Sequence, residues 1–111
     1  MYKYRALCVK VVDGDTIDAF IDLGFDLWIR KRIRLFGINT PETRTKDPEE
    51  KQKGIAAKGF LKLTLEKNNY EFTLVSHGVG KFGRCLGELF INDTNVNQLL
   101  LQEGHATEYD D

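Results

Sequence analysis

No stretch of this chain approaches the roughly 20 consecutive apolar residues that a membrane-spanning helix needs. Met1-Tyr2-Lys3-Tyr4-Arg5 runs straight into an alternating pattern in place of a signal peptide, so a cytoplasmic protein with no membrane partner is expected. Cysteine is scarce. Cys8 and Cys85 have no ligand spacing, which argues for free, partly buried thiols over a disulfide framework or a thiolate metal site. The 2 prolines, Pro41 and Pro48, leave most of the chain free to form regular structure. With 111 residues there is room for one core and no second lobe, so residues 1–111 are read as a single domain. No internal repeat or low-complexity segment appears.

Charge is nearly balanced at −1 but unevenly spread. Residues 1–67 hold 14 Lys and Arg against 10 Asp and Glu, whereas residues 68–111 hold 2 against 7. A basic surface on the first two-thirds suits a polyanion, although so small an excess is weak support for one.

Residues 2–12 alternate Leu7, Val9 and Val11 with Ala6, Cys8 and Lys10, and Asp13-Gly14 then supplies turn chemistry. As a turn residue, Gly14 would be there for an unusual backbone conformation. Ile17, Ala19, Ile21 and Leu23 alternate again, Gly24-Phe25-Asp26 reverses the chain, and residues 27–38 read as a third strand ended by Pro41. In that strand Ile29, Ile33 and Leu35 face one way and Arg30, Arg32 and Arg34 the other. Residues 43–53 are polar and contain Pro48, so a mobile loop is expected. Apolar spacing predicts a helix over residues 55–67, closed by Asn68-Asn69 and plugging one end of a barrel. Strands over 70–76 and 84–91 follow, joined by a Gly-rich turn from His77 to Gly83. Asn95 with Gln98 opens a short helix that Gly104 ends. The pattern predicts a five-stranded Greek-key β-barrel of the OB type with two helices.

The chemistry lies at the strand ends. Asp13-Gly14-Asp15-Thr16, Arg34 and Asn39-Thr40-Pro41-Glu42 bring carboxylates, an amide and a guanidinium together. Hard cations take such oxygen donors, and a phosphodiester needs a cation and guanidinium groups to bear its developing charge. Each segment alone is commonly a turn or a surface charge. Their combination with a later Gly83-Arg84 is a far more specific signal.

This set resembles the staphylococcal nuclease (thermonuclease) family. The matching stretches are Val12-Asp13-Gly14-Asp15-Thr16, Arg34-Leu35, Asn39-Thr40-Pro41-Glu42-Thr43, the seven residues from Gly54 to Phe60, Lys81-Phe82-Gly83-Arg84, Val96-Asn97-Gln98-Leu99 and Gly104-His105-Ala106. The resemblance implies an OB-fold Ca²⁺-dependent phosphodiesterase, with Mg²⁺ or another divalent cation as a substitute. Such an enzyme cuts DNA and RNA with low sequence selectivity and leaves 3′-phosphates. By position, it implies Asp15, Asn39 and the Thr40 carbonyl as metal ligands, Glu42 as the water-positioning or general-base carboxylate, and Arg34 and Arg84 as the pair gripping the scissile phosphate. Lys81 and Phe82 would lie near the nucleotide, Phe replacing the commoner Tyr.

Three departures accompany the match. Asn39 stands where the family's best-known member has Asp, which lowers the charge offered to a cation; the hairpin between Thr16 and Arg34 is longer; and the family's usual third helix has no counterpart before Asp111, whose neighbourhood reads as a frayed tail. His77 reads as a turn residue and His105 as a surface group beyond a helix end. Arg30-Lys31-Arg32 reads as a solvated strand edge or the lining of a nucleic-acid groove, and Trp28 as packing or an exposed hairpin aromatic. The alternative to an enzyme is a weak or inactive OB module that binds nucleic acid or protein.

Overall fold

Period-2 alternation and β-branched residues make the first half of the chain a meander, as expected. In the computed structural model, which describes residues 2–80 and 83–111, β1 spans Lys3–Asp13, β2 Thr16–Asp22 and β3 Trp28–Leu35. Three two-residue strands and four longer elements follow β1 to β3: β4 (Ile38–Asn39), α1 (Pro48–Glu66), β5 (Glu71–Val79), β6 (Cys85–Ile91), β7 (Thr94–Asn95), α2 (Val96–Gln102) and β8 (Thr107–Glu108). Antiparallel pairing runs β3-β2-β1-β5-β6, and a parallel pairing of β3 with β6 closes the ring. This is the five-stranded OB-type barrel with two helices that the pattern predicts.

Inward positions of every barrel strand carry apolar residues, and Ile17, Ile33, Leu35, Leu74 and Leu89 are almost wholly buried. α1 adds Leu61 and Leu65 and α2 adds Val96 and Leu100 to the same core. Asn97 is a polar residue buried as deeply as these. Its amide donates to the Phe36 and Gly87 carbonyls at 2.9 and 3.1 Å and accepts from the Leu89 N–H, which ties α2 to the end of β3 and the middle of β6.

Several local expectations change. α1 begins at Pro48, so half of the expected mobile loop is helix. Asp47 is its N-cap, accepting from the Glu49 N–H at 3.0 Å, while Pro48 occupies the first turn with Glu49 and Glu50. The proline read as a breaker is a helix starter. The buried face of α1 is Gly54, Ala57, Leu61 and Leu65, whereas Leu63 points outward. His77 belongs to β5 and not to a turn. Asn69 and Tyr70 close α1 in left-handed conformations, and Asn95 caps α2 by accepting from the Gln98 N–H at 3.2 Å. The expected fraying at Asp111 is not found: its carboxylate accepts from the Gly37 N–H at 2.6 Å.

Gly14 is not among the residues with positive φ. It is needed for space instead, because an added Cβ would lie 2.8 Å from the Ala57 Cβ and 3.0 Å from Thr40 Oγ1. Gly54 is tighter still, with an added Cβ 2.5 Å from the Glu42 carbonyl oxygen. Backbone cannot retreat as a side chain can, so Gly54→Ala is expected to push α1 and the Glu42 segment apart. A loss of about 1–3 kcal/mol is expected from such overpacking, read as a lowered urea midpoint at unchanged slope.

Candidate active site

The turn between β1 and β2 delivers Asp15 into the base of a cleft because Gly14 lets α1 and Thr40 close over it. Asp15 is buried, and each carboxylate oxygen is held: Thr16 Oγ1 donates to Oδ1 at 3.0 Å and the Thr40 N–H to Oδ2 at 3.1 Å. Its own carbonyl accepts from the Leu35 N–H at 2.8 Å. The carboxylate therefore has a fixed direction and keeps a lone pair on each oxygen. Beside it, Thr43 Oγ1 donates to Asp13 Oδ1 at 2.6 Å, which pins the segment carrying Glu42 to the end of β1.

Arg34 sits at the end of β3, directly opposite Thr16. Its Nη1 donates to the Leu35 and Ile38 carbonyls at 3.1 and 3.0 Å, and Nη2 reaches Asn39 Oδ1 at a long 3.4 Å. The Tyr109 ring covers the guanidinium at 4.9 Å. Tyr109 is placed by β8, which pairs Thr107 with Asn39 and Glu108 with Ile38, and by its N–H bond to the Gly37 carbonyl. Two donors of Arg34, Nε and the second Nη2 hydrogen, stay free of these contacts for a side-on bidentate grip.

A cleft of about 420 Å³ gathers Asp15, Arg34, Asn39, Thr40, Glu42 and Arg84 into one wall. Six of the eight expected site residues thus come together, while Lys81 and Phe82 lie outside the described residues. Five basic side chains (Lys10, Arg32, Arg34, Arg44 and Arg84) line it against three acidic ones (Asp13, Asp15 and Glu42), so the cleft favours an anion. Glu42 is exposed on its lip. Among the described residues, two buried side-chain polar atoms have no partner, Thr40 Oγ1 and Arg84 Nε, and both belong to residues of this cleft. No group of three His, Cys, Asp or Glu side chains forms a metal cluster among the described residues.

Neither histidine lies in this cleft. His77 meets Glu88 at 2.6 Å and stacks on Phe36 at 3.9 Å, and His105 tilts onto Phe60 at 4.8 Å. Cys8 and Cys85 are free thiols, as expected, and burial pushes the Cys8 thiol up to about 11, which keeps it protonated and unreactive at neutral pH. Tyr109 and Asp18 were not singled out from the sequence, and Thr43 stood there only as the end of a matching stretch. Tyr109 and Thr43 act through strand pairings and a turn that no local pattern announces, whereas Asp18 is detectable as an acidic residue on the outward parity of β2.

An OB-type barrel that gathers arginines and carboxylates in a cleft at its strand ends defines a class: a β-barrel with a built anion site. The chain belongs to the staphylococcal nuclease family, whose model, described as staphylococcal nuclease homologue, matches residues 32–111. It is 34% identical over 100 residues to a thermonuclease of Staphylococcus intermedius, covering 90% of this chain and 56% of that protein. An uncharacterised protein of Methanocaldococcus jannaschii is 31% identical over 128 residues, covering 96% of this chain and 59% of its own length. The endonuclease YhcR of Bacillus subtilis is 31% identical over 114 residues, with 96% of this chain covered but 9% of that protein. The chain thus spans little more than half the length of the first two relatives.

Asp18 organises the basic edge of the cleft. Arg32, its direct cross-strand neighbour, donates through Nε at 2.8 Å, and Arg30 approaches to 3.7 Å. The Arg32 hydrogen bond holds the Asp18 carboxyl below the usual carboxylate range despite its burial, with the charges of Arg32, Arg30 and Lys10 acting in the same direction. A lowered folded value means that this stabilisation is complete above the unfolded value of about 3.9 and is lost as pH falls through the folded one. Asp18→Asn is expected to cost about 0.5–1 kcal/mol at neutral pH, since both arginines are half exposed and solvent-screened. In urea titrations the gap from wild type should close as pH drops below about 3.9; a gap independent of pH would assign the effect to packing.

Proposed function

We propose that this chain is a divalent-cation-dependent phosphodiesterase that cuts DNA and RNA endonucleolytically, with low sequence selectivity, leaving 3′-phosphates. The observation that carries this reading is the pair of unpartnered buried atoms, Arg84 Nε and Thr40 Oγ1, at the cleft. An unpaired buried donor costs about 1–3 kcal/mol, so a fold that keeps one at an anion-favouring cleft is organised for a polar ligand. A phosphoryl oxygen satisfies the Arg84 donor.

Within that reading each side chain has a task. Arg34 and Arg84 hold phosphoryl oxygens, and the backbone carbonyls and Tyr109 ring that fix Arg34 mean that little ordering remains for the reaction itself. Glu42 orients an attacking water and accepts its proton, from a segment held in place by Thr43 and by the close approach of Gly54. The oxygen donors of Asp15, Asn39 and the Thr40 carbonyl suit a hard cation such as Ca²⁺ or Mg²⁺ in chemical type, with one formal negative charge among them. A bound cation would supply Lewis-acid polarisation of a phosphoryl oxygen. The thermonuclease and endonuclease relatives support the same reading.

The test is a gel assay with plasmid DNA and RNA in Ca²⁺, Mg²⁺ or EDTA. Cleavage with cation and none with EDTA is expected, strongly reduced in a folded Glu42→Gln. Arg84→Lys should lose on the order of 10²–10³ in rate, because an ammonium keeps the charge but not the fork. Intact nucleic acid in every lane, with retention in a mobility-shift assay, would establish a binding module instead.

Asn39→Asp addresses the cation site. A second carboxylate raises ligand charge, so calorimetry should give a lower Ca²⁺ dissociation constant and activity should rise at limiting Ca²⁺. At saturation little gain is expected, since the new charge also draws on Arg34 Nη2, now 3.4 Å from Asn39 Oδ1. Unchanged Ca²⁺ affinity in a folded variant would remove Asn39 from the ligand set.

A further inference from the structure

A cleft that cuts an interior phosphodiester must let the strand leave it, and the surroundings differ sharply in charge. On the α1 side lies a larger groove of about 710 Å³ whose lining carries Glu42, Asp47, Glu49 and Glu50 against Lys53. A polyanion is repelled there. On the barrel side, β3 continues from Arg34 with Arg32, Arg30 and Trp28 on one outward face, in unbroken register with Thr16, Asp18, Phe20 and Asp22 of β2. That Asp18 reaches both Arg30 and Arg32 confirms the shared face. Alternate residues of a strand repeat at about 6.6–6.8 Å, the length scale of one nucleotide in an extended chain.

We propose that β3 is an exit track for an extended single strand of nucleic acid, with Arg32 and Arg30 against successive phosphates and Trp28 stacked on a base beyond them. The inference rests on reading the cleft as the phosphodiester site. Trp28 is 47% exposed at the base of a hairpin whose tip presents Phe25, 98% exposed, although an isolated aromatic gains nothing from facing water. Next to it is a surface groove of about 470 Å³ that includes Arg5 and Phe90, with Glu71 as its one acidic residue. Of the acidic groups that β2 places on this face, Asp18 is taken up by the two arginines and Asp22 Oδ1 accepts from the Gly24 N–H at 2.8 Å. Asp18 therefore holds the two guanidiniums in place on the track. A duplex cannot stack its paired bases on a side chain, so the track selects unpaired strands.

Trp28 is the chain's 1 tryptophan, which makes intrinsic fluorescence a direct report on the far end of the track. Oligothymidylate of about twelve nucleotides, within the range of sites on such barrels, is titrated into the protein in EDTA, where binding is read without cleavage. Quenching of Trp28 emission is expected. Trp28→Ala should weaken binding on the order of tenfold by anisotropy of a labelled oligonucleotide, with Trp28→Phe restoring most of it. Arg30→Ala should lower the salt slope of binding by about 0.7, one single-strand phosphate contact. Unchanged emission together with unchanged affinity of Trp28→Ala would overturn the track even if wild type cleaves DNA. Equal quenching by a duplex would overturn the stacking. Trp28 quenching by a protein that fails to cut in the gel assay would instead leave the track standing and remove the nuclease reading.

Discussion

The carboxyl group and carbonyl of Asp15 join three segments that would otherwise be independent. The carbonyl receives the Leu35 N–H, Oδ2 receives the Thr40 N–H, and Oδ1 receives the Thr16 hydroxyl. A turn between β1 and β2 thereby fixes the end of β3 and the segment that carries Asn39 and Glu42. Because Asp15 is buried, losing its side-chain oxygens would leave the Thr40 N–H without its acceptor and out of water, which is costly. Gly14 is the steric condition for this knot, since any side chain there would collide with Ala57 and Thr40. Position and chemistry at the cleft are therefore set by one acidic residue and the glycine before it.

α1 and the last short strand act as clamps on that knot from opposite sides. α1 brings Gly54 against the Glu42 carbonyl, so the helix defines how close the carboxylate-bearing segment lies to the barrel. β8 pairs with β4 and lays Tyr109 over Arg34, so residues far apart in sequence hold the guanidinium in a single geometry. Side chains fixed before a ligand arrives lose little freedom when it binds, which is the physical value of having so many contacts around one arginine.

The barrel was legible because its signal is local: alternation in the strands, turn residues between them, and caps at Asn95 and Asn69 all act over a few residues. The candidate site residues stand out in the sequence as types in an order, and the fold gathers into one cleft the six that it describes. What escaped depended on ambiguity or distance. Asp47-Pro48-Glu49-Glu50 is a helix start, yet proline also marks loops, and the polar run hid the first two turns of α1. Gly14 was read for conformational freedom when packing required it, a distinction visible only once Thr40 and Ala57 are in place. His77 continues β5 to meet Glu88 and Phe36, partners 11 residues and a strand away. The pairing of β4 with β8, and with it the position of Tyr109, follows from closure of the whole chain and has no local signature.

Asn39 shows how the electrostatics of such a cleft balance. Its neutral oxygen lies 3.4 Å from Arg34 Nη2, a weak contact that leaves the guanidinium with its carbonyl partners and its aromatic cover. A carboxylate in the same place would pull harder on both a cation and Arg34, and whatever Arg34 gave to that neighbour it would withhold from a phosphate. The neutral residue thus favours the anion side of the cleft over the cation side. With five basic side chains against three acidic ones along its lining, the cleft already leans toward a polyanion. The continuation of positive charge along β3, set against the carboxylates around the start of α1, gives that preference a direction across the surface.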